Sequence, residues 1–383
     1  MKTSPKKYDY IIAGAGLAGL SLAYKLRLDP HFNDKSILLI DQDAKNKNDR
    51  TWCFWSKDKG SFDNIVYHKW DSLSFKSKNI DKVFQSQPYS YKMIRGIDFY
   101  KHTIKTLTGH PNTDFVQATI KSLVSTEDSV IIDTETAQFK GSYVFKSYPE
   151  KLELIKDHFV WQHFKGVIID TPEAQFNPDE AIFMDFRVEQ DKETRFFYVL
   201  PTSSKRALVE IAIFSDTIPD PTFYDSYIDE YIKDKLGIHN YNIVEEEIGA
   251  IPMTTHNFQD LKPSRIKSIG TNGGSVKASS GYAFSRIQKH VDQLISAIKK
   301  EKTQKFIIPK TKYQLYDRIM LNAILTGKTT GEKVFESLFK NLSIQTVFKF
   351  LDEEKDLVND LKIFSAPPKL PFIKAFFEEI LKK

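Results

Sequence analysis

Tyr8–Asp41 reads YDYIIAGAGLAGLSLAYKLRLDPHFNDKSILLID. Tyr8–Ala13 is a short apolar run. Gly14, Gly16 and Gly19 follow as GxGxxG, and Leu17, Leu20, Leu22, Tyr24 and Leu26 then supply apolar positions to a helical stretch. Ser36–Ile40 is a second, wholly apolar strand closed by Asp41. Strand, tight turn, helix and strand in this length make a βαβ unit. The first glycine makes the turn, the second lets the backbone approach a pyrophosphate, and the third brings the helix onto the strand, with free helix N–H groups facing the phosphates. Asp41 is placed to accept from ribose hydroxyls. The stretch predicts a dinucleotide site, and near Asp41 nothing separates FAD from a nicotinamide dinucleotide.

The remainder of the chain sets the context. At 383 residues it exceeds the size of a single core, so at least two structural units are expected. Hydrophobic residues make up 41% and charged residues 27%, a globular balance weighted by 29 Phe and 17 Tyr toward large aromatic surfaces. The net charge of +5 comes from 55 basic and 50 acidic residues without a long like-charge run, which argues against nucleic acid as a partner. Cys53 is the only cysteine, so an internal disulfide and a multi-thiolate zinc site are excluded. The nine histidines, including His110, His163 and His256, lack metal-ligand spacing, and no metal is expected. Polar Met1–Lys7 runs straight into a strand with no secretory apolar core, and no uncharged apolar run reaches spanning length. A cytoplasmic location with at most peripheral membrane contact is expected.

Short alternating segments from Asp114 to Phe145 suggest a meander, among them Val130–Thr134 and Ser142–Phe145. Ala181–Val188, Arg195–Leu200 and Arg206–Phe214 follow as antiparallel strands, the last two joined by the PTSSK loop Pro201–Lys205. Pro219–Leu236 is helical in pattern, Ile248–Met253 is extended, and Ile266–Ile269 is a strand. From Ala283 the pattern turns helical, through Asp317–Leu325, Lys333–Phe339, Ile344–Leu351 and Phe372–Leu381.

A second glycine segment, Gly270–Gln288 (GTNGGSVKASSGYAFSRIQ), follows the Ile266–Ile269 strand. Gly270, Gly273 and Gly274 can bring N–H groups to a pyrophosphate, and Ser279–Phe284, with Gly281 and Tyr282, opens a helix whose free N–H groups suit a negatively charged reduced flavin ring. With Asp49–Trp55 (DRTWCFW), Phe183–Arg187 (FMDFR), Leu208–Glu210 (LVE), Ile251–Thr254 (IPMT) and the Pro367–Phe376 region, these landmarks recur in order along nearly the whole chain, which resembles the lycopene cyclase family. One departure is Ala278, Ser279, Ser280, where the family usually reads Pro, Ser, Thr.

The resemblance implies an α/β fold: a Rossmann-type FAD-binding domain of the glutathione reductase and hydroxylase kind, an antiparallel β substrate domain and C-terminal helices. Residues 1–160 and 261–300 are expected to form the two parts of the FAD domain, 161–260 the substrate domain and 301–383 the helical region. It also implies a redox-neutral isomerase that closes the ψ ends of lycopene or a related polyene to β-rings. FAD is expected to be active when reduced, with NAD(P)H as an outside electron source. Other carotenoid enzymes are possible partners, beside the membrane surface that holds the substrate. The rival readings are a carotenoid or isoprenoid oxidoreductase on the same fold, and a non-catalytic flavin- or lipid-binding module.

Ring closure needs an acid that stays protonated near neutral pH, an apolar cavity for a carbocation and a group to take a proton back. Glu210 is a single carboxylate in Ala207–Phe214 (ALVEIAIF), on one strand face with Leu208, Ala212 and Phe214, where loss of water raises a carboxyl pKa. It reads either as that acid, the role the resemblance implies, or as a sheet-edge or ion-paired carboxylate. Asp185 and Arg187 share a strand face: they form a structural ion pair, or Asp185 accepts or orients the proton. Arg50 either touches the flavin phosphates or anchors its loop. Trp52, Trp55, Trp70 and Trp161 read as core or pocket wall, and Cys53 as a small core residue. Phe372, Ile373, Phe376, Phe377, Ile380 and Leu381 form an apolar stripe beside Lys374, Lys382 and Lys383, suited either to a bilayer or to docking on its own domain.

Overall fold

The computed structural model describes residues 6–148, 155, 157–258 and 262–381; Lys382 and Lys383, like Met1–Pro5, lie outside them. The opening motif builds the centre of the first sheet. Edge to edge its strands are Thr113–Gln117, Ile37–Asp41, Lys7–Ala13, Gln138–Lys146, Val130–Thr134 and Ile120–Ser125, with Ile266–Ser268 added beside the end of Gln138–Lys146. The first four are parallel and the last two of the path return antiparallel. Ile37–Ile40 is buried throughout because both faces of a parallel sheet are covered, which explains its continuous apolar run. Helix Leu17–Leu28 packs on this sheet between helices Gly96–Thr108 and Phe284–Lys299. The last of these comes from the second glycine segment, so the cofactor-type unit is assembled from both ends of the chain.

The second sheet runs Asn242–Thr254, Phe159–Asp170, Arg206–Ser215, Thr194–Ser203, Glu180–Asp185, Ser72–Lys76 and Asp81–Gln85. All neighbours are antiparallel except Glu180–Asp185 with Ser72–Lys76. Strand alternation divides its side chains between two cores. Tyr198, Leu200, Leu208, Ala212 and Phe214 face one core with Phe335, Phe339 and Phe348 from helices Gly331–Asn341 and Ile344–Leu351. Phe197, Val199, Val209, Ile211 and Ile213 face the other, closed by Tyr224, Ile228 and Tyr231. A small third sheet, Thr51–Ser56, Ser90–Arg95 and His68–Trp70, carries the DRTW segment between the two large ones.

Several elements differ from expectation. The strands around the PTSSK loop run to Ser203 and resume at Arg206, so only Ser204 and Lys205 remain to turn the chain. Pro219–Leu236 shortens to helix Phe223–Glu230 and a wider turn, Tyr231–Lys235. Leu357–Ser365 is a helix that the apolar pattern did not mark; Asp356 caps it by accepting from the Asn359 N–H. The C-terminal stripe forms helix Lys369–Leu381, docked on helix Lys312–Leu325 through Phe372, Ala375 and Glu379. No helix among the described residues is long and apolar enough to cross a membrane.

Candidate active site

The two glycine segments meet at the head of helix Leu17–Leu28. Gly14 has φ +102°, and its N–H donates to the Ile40 carbonyl at 2.7 Å. A Cβ on Gly19 would lie 2.0 Å from the Gly14 carbonyl oxygen, so this position packs helix on strand, whereas a Cβ on Gly16 would come no closer to the protein than 3.9 Å, at Ser147 Oγ. Among the described residues nothing demands the open side of Gly16, whereas a pyrophosphate in the cradle would. Gly270 approaches the same helix, its notional Cβ 2.8 Å from that of Ala18, and the Gly273 and Gly274 turn follows directly. Asp41 Oδ2 accepts from the Ala15 N–H at 2.6 Å and Oδ1 from the Asp43 N–H at 2.8 Å, so this carboxylate pins the cradle itself.

The Ser279–Tyr282 turn faces the second sheet. Helix Phe284–Lys299 has no side-chain cap, leaving its first N–H groups available at this turn. A Cβ on Gly281 would overlap Gln162 Oε1 at 1.7 Å. Gln162 Oε1, Ser279 Oγ and Ser280 Oγ are buried without a hydrogen-bond partner. Buried polar atoms are ordinarily satisfied. Three of them around one uncapped helix start suit a heteroaromatic ring edged with donors and acceptors, and the residues present therefore fit a flavin.

Beyond this turn lies the carboxylate site. Gly166, on the strand Phe159–Asp170, stands in register between Glu210 on one neighbouring strand and Glu247 on the other. All three share a face, and because Gly166 has no side chain the two glutamates meet over it, joined by a side-chain hydrogen bond. A Cβ on Gly166 would sit 3.1 Å from Glu210 Oε2. Burial, then the charge of Glu247 and the hydrogen bond with it, push the Glu210 carboxyl well above the ordinary range. Burial raises Glu247 too, but hydrogen bonds from Thr51 and Glu210 and the charge of Arg50 restrain it. The pair therefore binds a proton more tightly than an isolated carboxylate does, and Glu210 is the more strongly raised of the two.

An aromatic wall stands beside Glu210. Tyr198 is its in-register neighbour, and the Tyr198 and Tyr282 hydroxyls are 3.3 Å apart. Trp55 meets Tyr282 edge-on at 4.7 Å and stacks on Phe348 at 4.3 Å, while Phe183 lies parallel to Tyr282 at 6.3 Å. Cys53 is on the same wall, its thiol pushed up by burial and by the nearby glutamates. Trp55 Nε1 donates to Asp352, whose carboxyl burial raises to about 7. Rings presented toward an acidic group in a dry site can stabilise a cation.

Asp185 and Arg50 each had two readings. Asp185 pairs in register with Phe197, and Phe197 with Ile211, which places it on the sheet face opposite Glu210. There it is fully buried, held by Arg187 at 2.6 Å and by the Tyr231 hydroxyl at 2.7 Å. It is a structural ion pair, and the structure does not bring it to the acid. Arg50 pairs with Asp49 at 2.8 Å, and Tyr100 also donates to Asp49, which anchors the loop; its charge acts on Glu247. Glu247 itself was not legible, because it lies in the run Glu245–Glu247, which looks solvated. Strand alternation sets Glu246 on the other face, and of Glu245 and Glu247 only Glu247 is buried.

Lycopene beta-cyclase of Pantoea ananas is 24% identical over 385 residues, covering 96% of this chain and 97% of that protein. Neoxanthin synthase, chloroplastic, of Solanum lycopersicum is also 24% identical, across 76% of this chain and 60% of that protein's length. Among solved structures, a flavoprotein/dehydrogenase from Cytophaga hutchinsonii superposes with TM-score 0.66 at 10% identity over 99% of this chain and all of that one. A geranylgeranyl bacteriochlorophyll reductase-like protein from Thermoplasma acidophilum gives 0.60 at 12% identity, over 99% and 98%. The fold is thus the Rossmann-type α/β fold of flavoproteins. The family model described as lycopene cyclase protein matches residues 9–376, nearly the full length, and the chain belongs to the lycopene cyclase family.

Proposed function

We propose that this protein is a lycopene β-cyclase, an isomerase that binds FAD and closes the ψ ends of lycopene to β-rings with no net redox change. The observation that carries the reading is the meeting of Glu210 and Glu247 over Gly166 beside the wall of Tyr198, Tyr282, Trp55 and Phe183. Glu210 gives its proton to C2 of the terminal double bond. The C5–C6 double bond attacks C1, forming the C1–C6 bond and moving the positive charge to C5. The carboxylate pair, now one proton short, takes the proton from C6, leaving C5 and C6 doubly bonded. The pair returns to its starting state, so atoms and charge balance without a co-substrate.

Gly14, Gly16, Gly270 and Ser147 would hold the pyrophosphate of FAD, and Gln162 with Ser279–Tyr282 its ring. Reduced FAD, when bound, supplies negative charge beside the developing cation. NAD(P)H is the reductant that keeps it reduced from outside the site. The first sheet and helix Phe284–Lys299 make up the cofactor unit, and the second sheet with the C-terminal helices the substrate unit. The polyene is a lipid-dissolved substrate, so the enzyme works at a membrane surface on the cytoplasmic side. Expression of the chain in lycopene-accumulating cells tests the reading: cyclic carotenes should appear, and Glu210→Gln should abolish them while retaining FAD. Unchanged lycopene with the wild-type chain, or wild-type yield from Glu210→Gln, would overturn it.

A further inference from the structure

The two C-terminal helices are turned inside out. In helix Leu357–Ser365 the buried positions are Asn359, Asp360 and Ile363, while Leu357, Val358, Leu361 and Phe364 are exposed, Leu357 at 73% and Leu361 at 68%. In helix Lys369–Leu381 the fully turned-in positions are Ala375 and Glu379, while Leu370, Ile373, Phe377, Ile380 and Leu381 face out, Leu381 at 80%. A surface helix ordinarily shows the reverse pattern. Exposed apolar residues scattered singly mean little, but two successive helices that both put their polar groups inward form a patch that marks a contact.

The inward polar groups are not solvated leftovers. Asp360 is held by Lys312. Glu379 accepts from His158 at 2.7 Å, from Asn322 at 2.7 Å and from Arg318 at 2.9 Å. These bonds fix the orientation: Lys312, Arg318 and Asn322 all project from helix Lys312–Leu325, which carries both outer helices. The same helix presents Tyr316 to Phe364 at 4.4 Å and to Phe350 at 6.1 Å, so the exposed surface is backed by rings that continue toward helix Ile344–Leu351. The far side of that helix stacks Phe348 on Trp55 at the candidate active site.

Charge selects the occupant. In this stretch every carboxylate is engaged: Asp360 and Glu379 as above, Glu378 with Lys328 at 2.8 Å, and Asp356 as a helix cap near Lys349. Lys355, Lys362, Lys369 and Lys374 are all exposed, so the outward face is apolar with a positive rim. Two copies meeting through the same patch would bring positive rims together. An anionic bilayer complements both parts, since the apolar residues enter the acyl boundary and the lysines remain among the headgroups. The helices have 9 and 13 residues, too short to span, which fits insertion along the surface.

We propose that the exposed faces of helices Leu357–Ser365 and Lys369–Leu381 form a docking surface for anionic lipid bilayers. The inference is independent of the ring chemistry, although it would seat the protein with the Trp55 wall toward its lipid-dissolved substrate. The test is sedimentation of the full chain with vesicles of phosphatidylcholine alone, or mixed with phosphatidylglycerol. Strong binding is expected only with the charged vesicles. Leu361→Asp combined with Phe377→Asp should weaken it at least tenfold, with FAD content and melting temperature held. Lys362→Glu, Lys369→Glu and Lys374→Glu should each cost roughly fivefold or more, and combined should bring binding down to the neutral-vesicle level. Wild-type binding by the apolar double variant would overturn the proposal. So would a lipid-free dimer, seen by light scattering, that the same double variant dissociates, since it would assign the face to a second copy. Ring formation from lycopene in detergent micelles, measured in parallel, separates the two claims: the double variant should remain active there, and a wild-type chain that binds vesicles but makes no ring refutes only the cyclase reading.

Discussion

Gly166→Ala is the smallest change that separates the carboxylate pair from the rest of the fold. A Cβ at this position would lie 2.9 Å from Leu208 Cδ1, 3.1 Å from Glu210 Oε2 and 3.3 Å from Glu210 Cβ. Ordinary contact begins near 3.4 Å. The Glu210 carboxyl must therefore retreat by about 0.3 Å and Leu208 by about 0.5 Å from the strand that separates Glu210 from Glu247. If a 1 Å misplacement costs about a hundredfold in rate, a shift of about 0.3 Å in the carboxyl costs about fourfold. The effect on stability is small, because alanine gains roughly 0.5–1 kcal/mol over glycine in a strand while the added methyl costs about 1–3 kcal/mol of overpacking. The assay is turnover of reduced enzyme with lycopene in micelles, alongside the melting temperature and the flavin spectrum. The expected result is a fall in kcat of about fourfold with FAD content unchanged and the melting temperature within a few degrees of wild type. Wild-type kcat in a folded Gly166→Ala protein would refute the claim that the pair acts through contact over Gly166.

Gly16→Val should yield a folded protein without FAD, since the side chain would fill a cradle that the protein itself leaves open to 3.9 Å; full flavin occupancy would show that the pyrophosphate lies elsewhere. Glu379 sets an acid limit. Burial alone would raise its carboxyl, but the bonds from His158, Asn322 and Arg318 outweigh this and bring it down to about 2. A lowered carboxyl stabilises the fold above its ordinary pKa and loses that contribution as pH falls toward about 2, here about 3 kcal/mol, so denaturant titrations should show wild type losing that much more than Glu379→Gln between pH 5 and 2. Glu210 has the opposite sign. Its raised pKa means that the folded state binds the proton more tightly, so both stability and the acid form decline as pH rises from the ordinary carboxylate range through the raised value. Ring formation should show a single basic limb that Glu247→Gln moves to lower pH, and an unmoved limb would separate Glu247 from the acid.

The βαβ start of the first sheet was legible because local signals specify it. Tyr8–Asp41 holds its whole logic within one βαβ unit, and the continuous apolar run of Ile37–Ile40 requires a sheet covered on both faces. Glu210 was legible as an isolated carboxylate among apolar strand neighbours, and its predicted face of Leu208, Ala212 and Phe214 is the one that meets the aromatic core. Glu247 was not, since its role depends on the register of a strand separated from Gly166 by many residues, and register between distant strands leaves no local trace. The same reasoning explains Asp185. Its spacing from Arg187 told that they pair, but the sheet face that they occupy depends on pairing with Phe197. Helix Leu357–Ser365 leaves no period-3.6 apolar signal on its buried face, since two of its three buried positions are the polar Asn359 and Asp360.

The central claim is that Glu210 and Glu247 return the proton they give and that flavin electrons stay where they are. Enzyme reduced beforehand, under anaerobic conditions in D2O, should convert lycopene to ring product with deuterium at C2, with many rings formed per flavin and the flavin spectrum still that of the reduced form. In H2O the product mass should equal the substrate mass. Oxidation of one flavin for each ring formed, or a product without solvent deuterium at C2, would contradict the account and put an oxidoreductase in its place.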